Sequence, residues 1–189
     1  MAQIYLASRS PRRRELLSQL NIQFEIVDGE IDESQQAGEN AEQYVQRLAQ
    51  AKAQQGWKNS PKDKPVLGSD TIVVYQDRLL GKPTNQQDAV NTLALLSGQQ
   101  HQVITSVAIC CQDRLETITV SSDVEFAPIS ESQAIEYWQT GEPQDKAGSY
   151  AIQGIGGQFV KRIQGSYSAI VGLPLYETKQ LVEKVLQRL

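Results

Sequence analysis

Apolar positions along the chain change period several times, and each change marks an element. Ile4, Tyr5 and Leu6 form a short apolar run that reads as a strand, followed by Ala7 to Leu17, ASRSPRRRELL. Leu16, Leu17 and Leu20 then fall on the inward face of a helix. Ser10 is placed to cap that helix, and Pro11 takes its first position, where a missing N–H costs nothing. Phe24 to Val27 reads as a second strand and runs into an acidic loop from Asp28 to Glu33. A long helix is expected from about Ala41 to Trp57, with Tyr44, Val45, Leu48, Ala49 and Lys52 near one face. The strongest strand signal begins at Pro65 and ends in Ser69-Asp70-Thr71-Ile72-Val73-Val74-Tyr75. Its near-continuous apolar character predicts a central strand covered on both faces.

Leu79-Leu80-Gly81-Lys82-Pro83 reads as the return of a hairpin. Asp88 to Leu96 is amphipathic and stops at Ser97-Gly98, a C-cap pair. Two long strands, about Gln102 to Cys111 and Glu116 to Phe126, flank the turn Gln112-Asp113-Arg114. This hairpin is expected to project beyond the core sheet and mediate self-association. Ser130 and Gln133 have capping-box spacing for a helix to Trp138. A glycine-rich stretch from Gly141 to Gly172 follows, holding a strand at Phe159 to Ile163, and Pro174 opens a last helix through Leu186. Neither internal repeats nor low-complexity linkers interrupt the chain, so residues 1–189 are read as one domain.

Composition changes this picture little. At 189 residues, 40% hydrophobic and 21% charged, the chain suits one generous domain or one domain with two lobes. A net charge of −4 and only 6% aromatics argue against a broad nucleic-acid surface. Met1-Ala2-Gln3 opens no signal peptide, and no apolar run reaches membrane-helix length, so a cytoplasmic protein is expected, off the membrane. Cys110 and Cys111 are neighbours on an expected strand and point to opposite faces, which suits buried thiols. His101 is the chain's one histidine, so a metal would sit on oxygen ligands, favouring Mg²⁺ or Mn²⁺.

Candidate chemistry concentrates in a few places. Arg12, Arg13 and Arg14 fill the first turn of a helix, the end whose dipole repels cations. A polyanion over that helix start would compensate, and serine hydroxyls with free N–H groups make a phosphate cradle. A solvated basic turn paired with nearby acids is the plainer alternative. Asp70 at the mouth of a central strand is costly unless paired, hydrogen-bonded or coordinated. Asp32 and Glu33 are candidates for a divalent ion, or simply a solvated acidic loop. Lys52 either snorkels or reaches into a site. Gly154-Ile155-Gly156-Gly157 lacks the full dinucleotide fingerprint, and a loop whose backbone approaches a ligand fits it better.

With these residues in place, the chain resembles the Maf family of nucleoside triphosphate pyrophosphatases over essentially its whole length. The matching stretches are Ser8-Arg9-Ser10-Pro11-Arg12-Arg13, Arg47-Leu48-Ala49-Gln50-Ala51-Lys52, Gly68-Ser69-Asp70-Thr71 and Gly81-Lys82-Pro83. Asp145-Lys146-Ala147-Gly148-Ser149-Tyr150, Gly165-Ser166-Tyr167 and Val171-Gly172-Leu173-Pro174-Leu175 follow in the family's order. The resemblance implies an α/β, inosine-triphosphatase-like fold, with a long mixed sheet and flanking helices forming two lobes around a deep cleft. It also implies a homodimer and hydrolysis of a nucleoside triphosphate to monophosphate and pyrophosphate with a divalent metal.

Residue by residue, Asp70 matches the family's catalytic acceptor, and Glu33, Lys52 and Lys82 match its other polar active-site positions. Ser8, Arg12 and Arg13 match the phosphate-binding loop. Glu33 and Asp70 are the implied metal ligands. Arg12, Thr71 and Gln153 stand where subgroups differ, and this set resembles the branch acting on dTTP and UTP. A glutamine amide offers a donor and an acceptor, as the O4/N3–H edge of uracil or thymine requires. Arg9, Ser149 and Ala151 depart from the residues common in the family, and Arg9 is expected to add charge beside the cradle. The expected reaction is attack of water on the α-phosphorus, with Asp70 acting on metal-activated water. A nucleotide-binding regulator of septum formation with little turnover is the alternative class, disfavoured by the joint presence of Asp70, Glu33, Lys52 and Lys82.

Overall fold

In the computed structural model, which describes residues 3–188, the chain alternates strands and helices. The signal-peptide reading at Met1-Ala2 lies outside the described residues. Seven strands form one mixed sheet in the order β2-β1-β3-β5-β6-β7, with β4 paired to β3. They are β1 (Ile4–Ala7), β2 (Phe24–Ile26), β3 (Val66–Tyr75), β4 (Arg78–Leu80), β5 (Gln100–Cys111), β6 (Arg114–Phe126) and β7 (Val160–Gln164). The helices are α1 (Pro11–Ser18), α2 (Ala41–Asn59), α3 (Gln86–Leu96), α4 (Glu131–Gln139), α5 (Tyr167–Val171) and α6 (Leu175–Leu186).

The chain divides into two compact units. The first comprises Met1–Asp70, Thr105–Val120 and Gly172–Leu189; the second comprises Thr71–Ile104 and Ser121–Val171. Strands β3, β5 and β6 each contribute residues to both, so no single cut in the sequence separates them.

In the first unit β1 pairs in parallel with both β2 and β3, Tyr5 facing Glu25 and Val66. All four β1 residues are buried, as a strand with parallel neighbours on both sides requires. Ile4, Leu6, Leu17, Leu48, Leu67 and Leu173 fill the core. The long helix carries a full capping box, Asn40 accepting from the Gln43 N–H and Gln43 returning to the Asn40 N–H. It runs two residues past the expected end, to Asn59. Gly68 lets α2 lie directly on β3: a Cβ there would stand 2.5 Å from the Ala49 carbonyl oxygen and 2.5 Å from the Ala53 nitrogen.

The second unit is built around Val73, Leu93, Leu96, Val124, Phe126, Tyr137 and Phe159. Gln76 and Asp77, with φ of 48° and 60°, make the tight turn that returns β3 into β4. Asn85 caps α3, which starts at Gln86, two residues before the expected start, and Ser130 caps α4 with the expected box. The glycine-rich stretch condenses into 3₁₀ turns at Glu142–Asp145, Ala147–Ser149 and Ile155–Phe159. Helix α5 is unpredicted by apolar period because it is barely more than one turn.

One expectation is corrected. β5 lies between β3 and β6 and is buried along nearly its whole length, so it is a central strand and does not project beyond the sheet. Its run from Val103 to Cys111 is covered on both faces, which its apolar character already demands. Cys110 and Cys111 are buried free thiols. Among the described residues no helix is long and apolar enough to cross a membrane.

Candidate active site

Local chemistry builds the first part of the site as the sequence predicts. Ser10 is extended at the start of α1 and its hydroxyl accepts from the Arg13 N–H, while the Ser10 N–H donates to the Ser8 hydroxyl at 3.2 Å. No acid stands in the first helical turn. The Arg13 Nε–H donates to the Gly172 carbonyl at 2.9 Å, and the Ser69 hydroxyl donates to that oxygen at 3.1 Å. One carbonyl thus ties the arginine turn to the strand that carries Asp70. Burial lowers the Arg13 pKa and the Arg12 charge adds to this, against the pull of Asp70 and Glu33. A guanidinium nevertheless stays charged at any ordinary pH.

Arg9 behaves otherwise. Its guanidinium pairs with Asp28 at 3.2 Å and Glu30 at 2.8 Å, all three side chains exposed, so its charge is answered by the acidic loop. Farther along that loop, Asp32 accepts from the Ser34 N–H at 2.9 Å and its hydroxyl at 2.6 Å. These bonds hold the Asp32 carboxyl below its ordinary pKa, the hydroxyl contributing most.

Glu33 takes a different partner. Lys52 Nζ lies 2.6 Å from Glu33 Oε1 and 2.6 Å from Asp70 Oδ1. The lysine therefore reaches inward from α2 and meets the carboxylate that the central strand buries. Asp70 is 8% exposed, and its partner makes that burial tolerable. Three residues that sequence reasoning did not single out as site positions hold the loop in place. Arg47 forks onto Glu39, Nε at 2.6 Å and a terminal nitrogen at 2.8 Å, and donates to the Ser34 carbonyl at 2.9 Å. Tyr44 donates its hydroxyl to the Glu33 carbonyl at 2.9 Å. Tyr44 and Arg47 stand about two turns and about one turn before Lys52 on α2, and that helical spacing was the signal available.

In the first unit, then, Glu33, Lys52 and Asp70 are in direct contact, and Arg13 feels both carboxylates. Thr71, Lys82 and Gln153 belong to the second unit. Thr71 follows Asp70 on β3, so its side chain leaves the opposite face of the sheet. Lys82 is exposed just beyond β4, where the Gly81 carbonyl accepts from the Gly148 N–H at 3.1 Å. Gln153 is exposed in the turn before the 3₁₀ segment Ile155–Phe159.

The chemistry of the donor set suits a hard divalent ion. Glu33 and Asp70 offer oxygen ligands, and one cation already draws both. Among the described residues no cluster of three His, Cys, Asp or Glu side chains could form a complete protein cage. Mg²⁺ does not ask for one, since it is commonly held by one or two carboxylates and substrate phosphates.

Residues 3–185 match the family model described as Maf-like protein. The chain belongs to the Maf family. The match runs through both units, so every candidate residue lies inside the Maf segment. Curated relatives are similar over nearly their full length. A dTTP/UTP pyrophosphatase of Pseudoalteromonas atlantica is 56% identical over 185 residues, 96% of each chain. Proteins of the same name from Photobacterium profundum and Pseudoalteromonas translucida are 54% and 52% identical, each alignment covering 97% of both chains. The Maf sequence motifs named above thus coincide with the contacts just described: the arginine turn, the Lys52 helix and the Asp70 strand.

Proposed function

We propose that this Maf protein hydrolyses dTTP and UTP to the monophosphate and pyrophosphate. The observation that carries the reading is the low-exposure ammonium of Lys52 joined to both Asp70 and Glu33, beside the arginine-rich start of α1. The names of relatives above 50% identity, all dTTP/UTP pyrophosphatases, support the choice of substrate. A carboxylate buried in the middle of β3 and held by lysine, present together with Glu33 and Lys82, favours turnover over binding alone.

In this reading Ser8, Arg12 and Arg13, with the N–H groups of α1, hold the triphosphate, and Lys82 adds a further cation. Water attacks the α-phosphorus: its oxygen–phosphorus bond forms as the bond to the αβ-bridging oxygen breaks, and pyrophosphate leaves with the electron pair. Asp70 orients the water and takes its proton, while Lys52 fixes the Asp70 rotamer. An ordinary aspartate is a weak base, so most of the rate comes from charge stabilisation on the phosphates. Glu33 and Asp70 would hold Mg²⁺ or Mn²⁺, which when bound neutralises charge on the triphosphate. Thr71 and Gln153 select the base, the Gln153 amide pairing with O4 and N3–H of uracil or thymine. The two compact units act as the lobes of one domain, and the protein works as a cytoplasmic homodimer.

Product analysis with Mg²⁺ across dTTP, UTP, CTP, GTP and 7-methyl-GTP tests the proposal. Monophosphate and pyrophosphate from dTTP and UTP, with the other three poorly used, is the expected result. Tight binding without turnover would overturn hydrolysis, and preferential use of 7-methyl-GTP would overturn the pyrimidine assignment.

A further inference from the structure

Gln153 is exposed, yet the backbone on both sides of it is fixed to one pair of side chains. Glu142 Oε1 accepts from the Tyr137 hydroxyl at 2.6 Å and from the Gly156 N–H at 2.9 Å; Oε2 accepts from the Ile155 N–H at 2.9 Å. The Tyr137 hydroxyl in turn accepts from the Ala151 N–H at 3.0 Å. Residues 151, 155 and 156 are therefore anchored to the same carboxylate–phenol pair, and Gln153 rides on the span between the anchors. A turn pinned at both ends loses most of its freedom, whereas one pinned at a single end can swing.

The anchor itself is rigid. Tyr137 is 2% exposed on α4 and meets Phe159 edge-on, ring centroids 5.3 Å apart. Glu142 leaves α4 through Gly141, whose φ of 78° suits glycine, and its N–H donates to the Thr140 hydroxyl at 3.2 Å. The fit leaves no room for a side chain at either glycine of the turn with the anchor in this position. A Cβ on Gly154 would lie 2.1 Å from Glu142 Oε2, and one on Gly156 would lie 2.5 Å from the Tyr137 hydroxyl. The glycines in this stretch allow the backbone to press onto the anchor.

We propose that Glu142 and Tyr137 are specificity-positioning residues: they clamp the turn 151–156 and so fix the direction in which Gln153 presents its amide to the base. This rests on the reading of Gln153 as the base-selecting residue. An amide discriminates between bases only if its donor and acceptor arrive in a set orientation. Neither Glu142 nor Tyr137 touches the base or the phosphates; both act through the backbone.

The test is a four-member cycle of wild type, Tyr137→Phe, Gln153→Ala and the double variant, assayed with dTTP and CTP. Tyr137→Phe keeps the buried ring and removes only the hydroxyl. It should raise the KM for dTTP about tenfold, leave kcat within about twofold, and lower the dTTP-to-CTP ratio of kcat/KM about tenfold. Glu142→Gln, which keeps the shape and removes the charge, should act in the same direction and serves if Tyr137→Phe folds poorly. In the Gln153→Ala background, Tyr137→Phe should have no further effect on the ratio, because nothing is left to orient. Unchanged selectivity in both clamp variants overturns the proposal, as does an equal loss with and without Gln153. If Gln153→Ala itself keeps wild-type selectivity, both the clamp and the base-reading role fall while hydrolysis stands. If wild type turns over no nucleotide, the hydrolase reading fails instead, and the same cycle is read from dTTP and CTP binding by calorimetry, with the same ratios deciding for or against the clamp.

Discussion

Lys52 Nζ lies 2.6 Å from Asp70 Oδ1 and 2.6 Å from Glu33 Oε1, but the two links are physically unequal. The Asp70 side chain is 11% exposed and that of Glu33 is 50% exposed. Attraction to Asp70 acts in a poorly screened setting, while attraction to Glu33 is weakened by water. Lys52 thus belongs to Asp70 first, and Glu33 is the more easily released partner.

That inequality sets the expectation for Asp70→Asn. The amide keeps the shape and the bond to Lys52 but cannot accept a proton from water. Turnover should fall about 100- to 10,000-fold, while nucleotide affinity stays within a few-fold. Single-turnover kinetics beside calorimetric binding separates the two, and near-wild-type turnover would remove Asp70 from the chemistry.

Lys52→Met leaves the Asp70 carboxylate buried without its cation. Breaking one side of such a pair costs more than removing both, because the orphan keeps its desolvation penalty. Urea unfolding should show a loss of about 2 kcal/mol, below the figure for a fully dry pair since some solvent reaches the site. Adding Asp70→Asn should recover part of that loss without recovering activity. A double variant no more stable than Lys52→Met would argue that the pair contributes packing, with charge unimportant.

Much of this was legible because it is local. The Ser10 cap with Pro11, the Ser130–Gln133 box and the apolar run of β3 all depend on neighbours a few residues away, and the fold keeps them. The rest depends on pairings that spacing does not encode. Lys52 stood between snorkelling and a site role until β3 placed Asp70 beneath it. Arg9 looked like a free charge until the loop brought Asp28 and Glu30 to it. Glu142 carried no sequence signal, because two of its partners are backbone N–H groups of a glycine-rich turn that any sequence would supply, and the third, the Tyr137 hydroxyl, lies at a spacing that marks no motif. A two-part organisation was among the expectations, but the boundaries of the two units stayed hidden for a similar reason, since three long strands pass through both.

A pH dependence follows from His101. It is the chain's one histidine, 2% exposed; Nε2 meets the Tyr150 hydroxyl at 2.8 Å, and Nδ1 is buried without a partner in the described structure. Burial pushes its pKa down from 6.5 to about 4. The unfolded chain therefore binds a proton below pH 6.5 that the folded protein refuses until about pH 4. The stability from this group is fully present above 6.5 and is lost as pH falls toward 4, a total of about 3 kcal/mol. His101→Gln should flatten the unfolding free energy across that window. An unchanged slope in the variant would assign the effect to carboxylates.

Gly68 is where the position of Lys52 is decided. It faces α2 at the Ala49 carbonyl and the Ala53 nitrogen, the backbone of residues that bracket Lys52. A methyl group at 2.5 Å from two backbone atoms has no flexible side chain to displace, so the helix itself must move away from the strand. Gly68→Ala should therefore cost about 1–3 kcal/mol in stability and, separately, lengthen the contact from Lys52 to Asp70. A shift near 1 Å at a reacting group can cost about 100-fold in rate, so turnover should drop well beyond what partial unfolding explains. Activity measured at a temperature where the variant is fully folded checks this directly. A folded Gly68→Ala protein with wild-type kcat would mean that α2 and β3 do not set the Lys52–Asp70 geometry on which the proposed reaction depends.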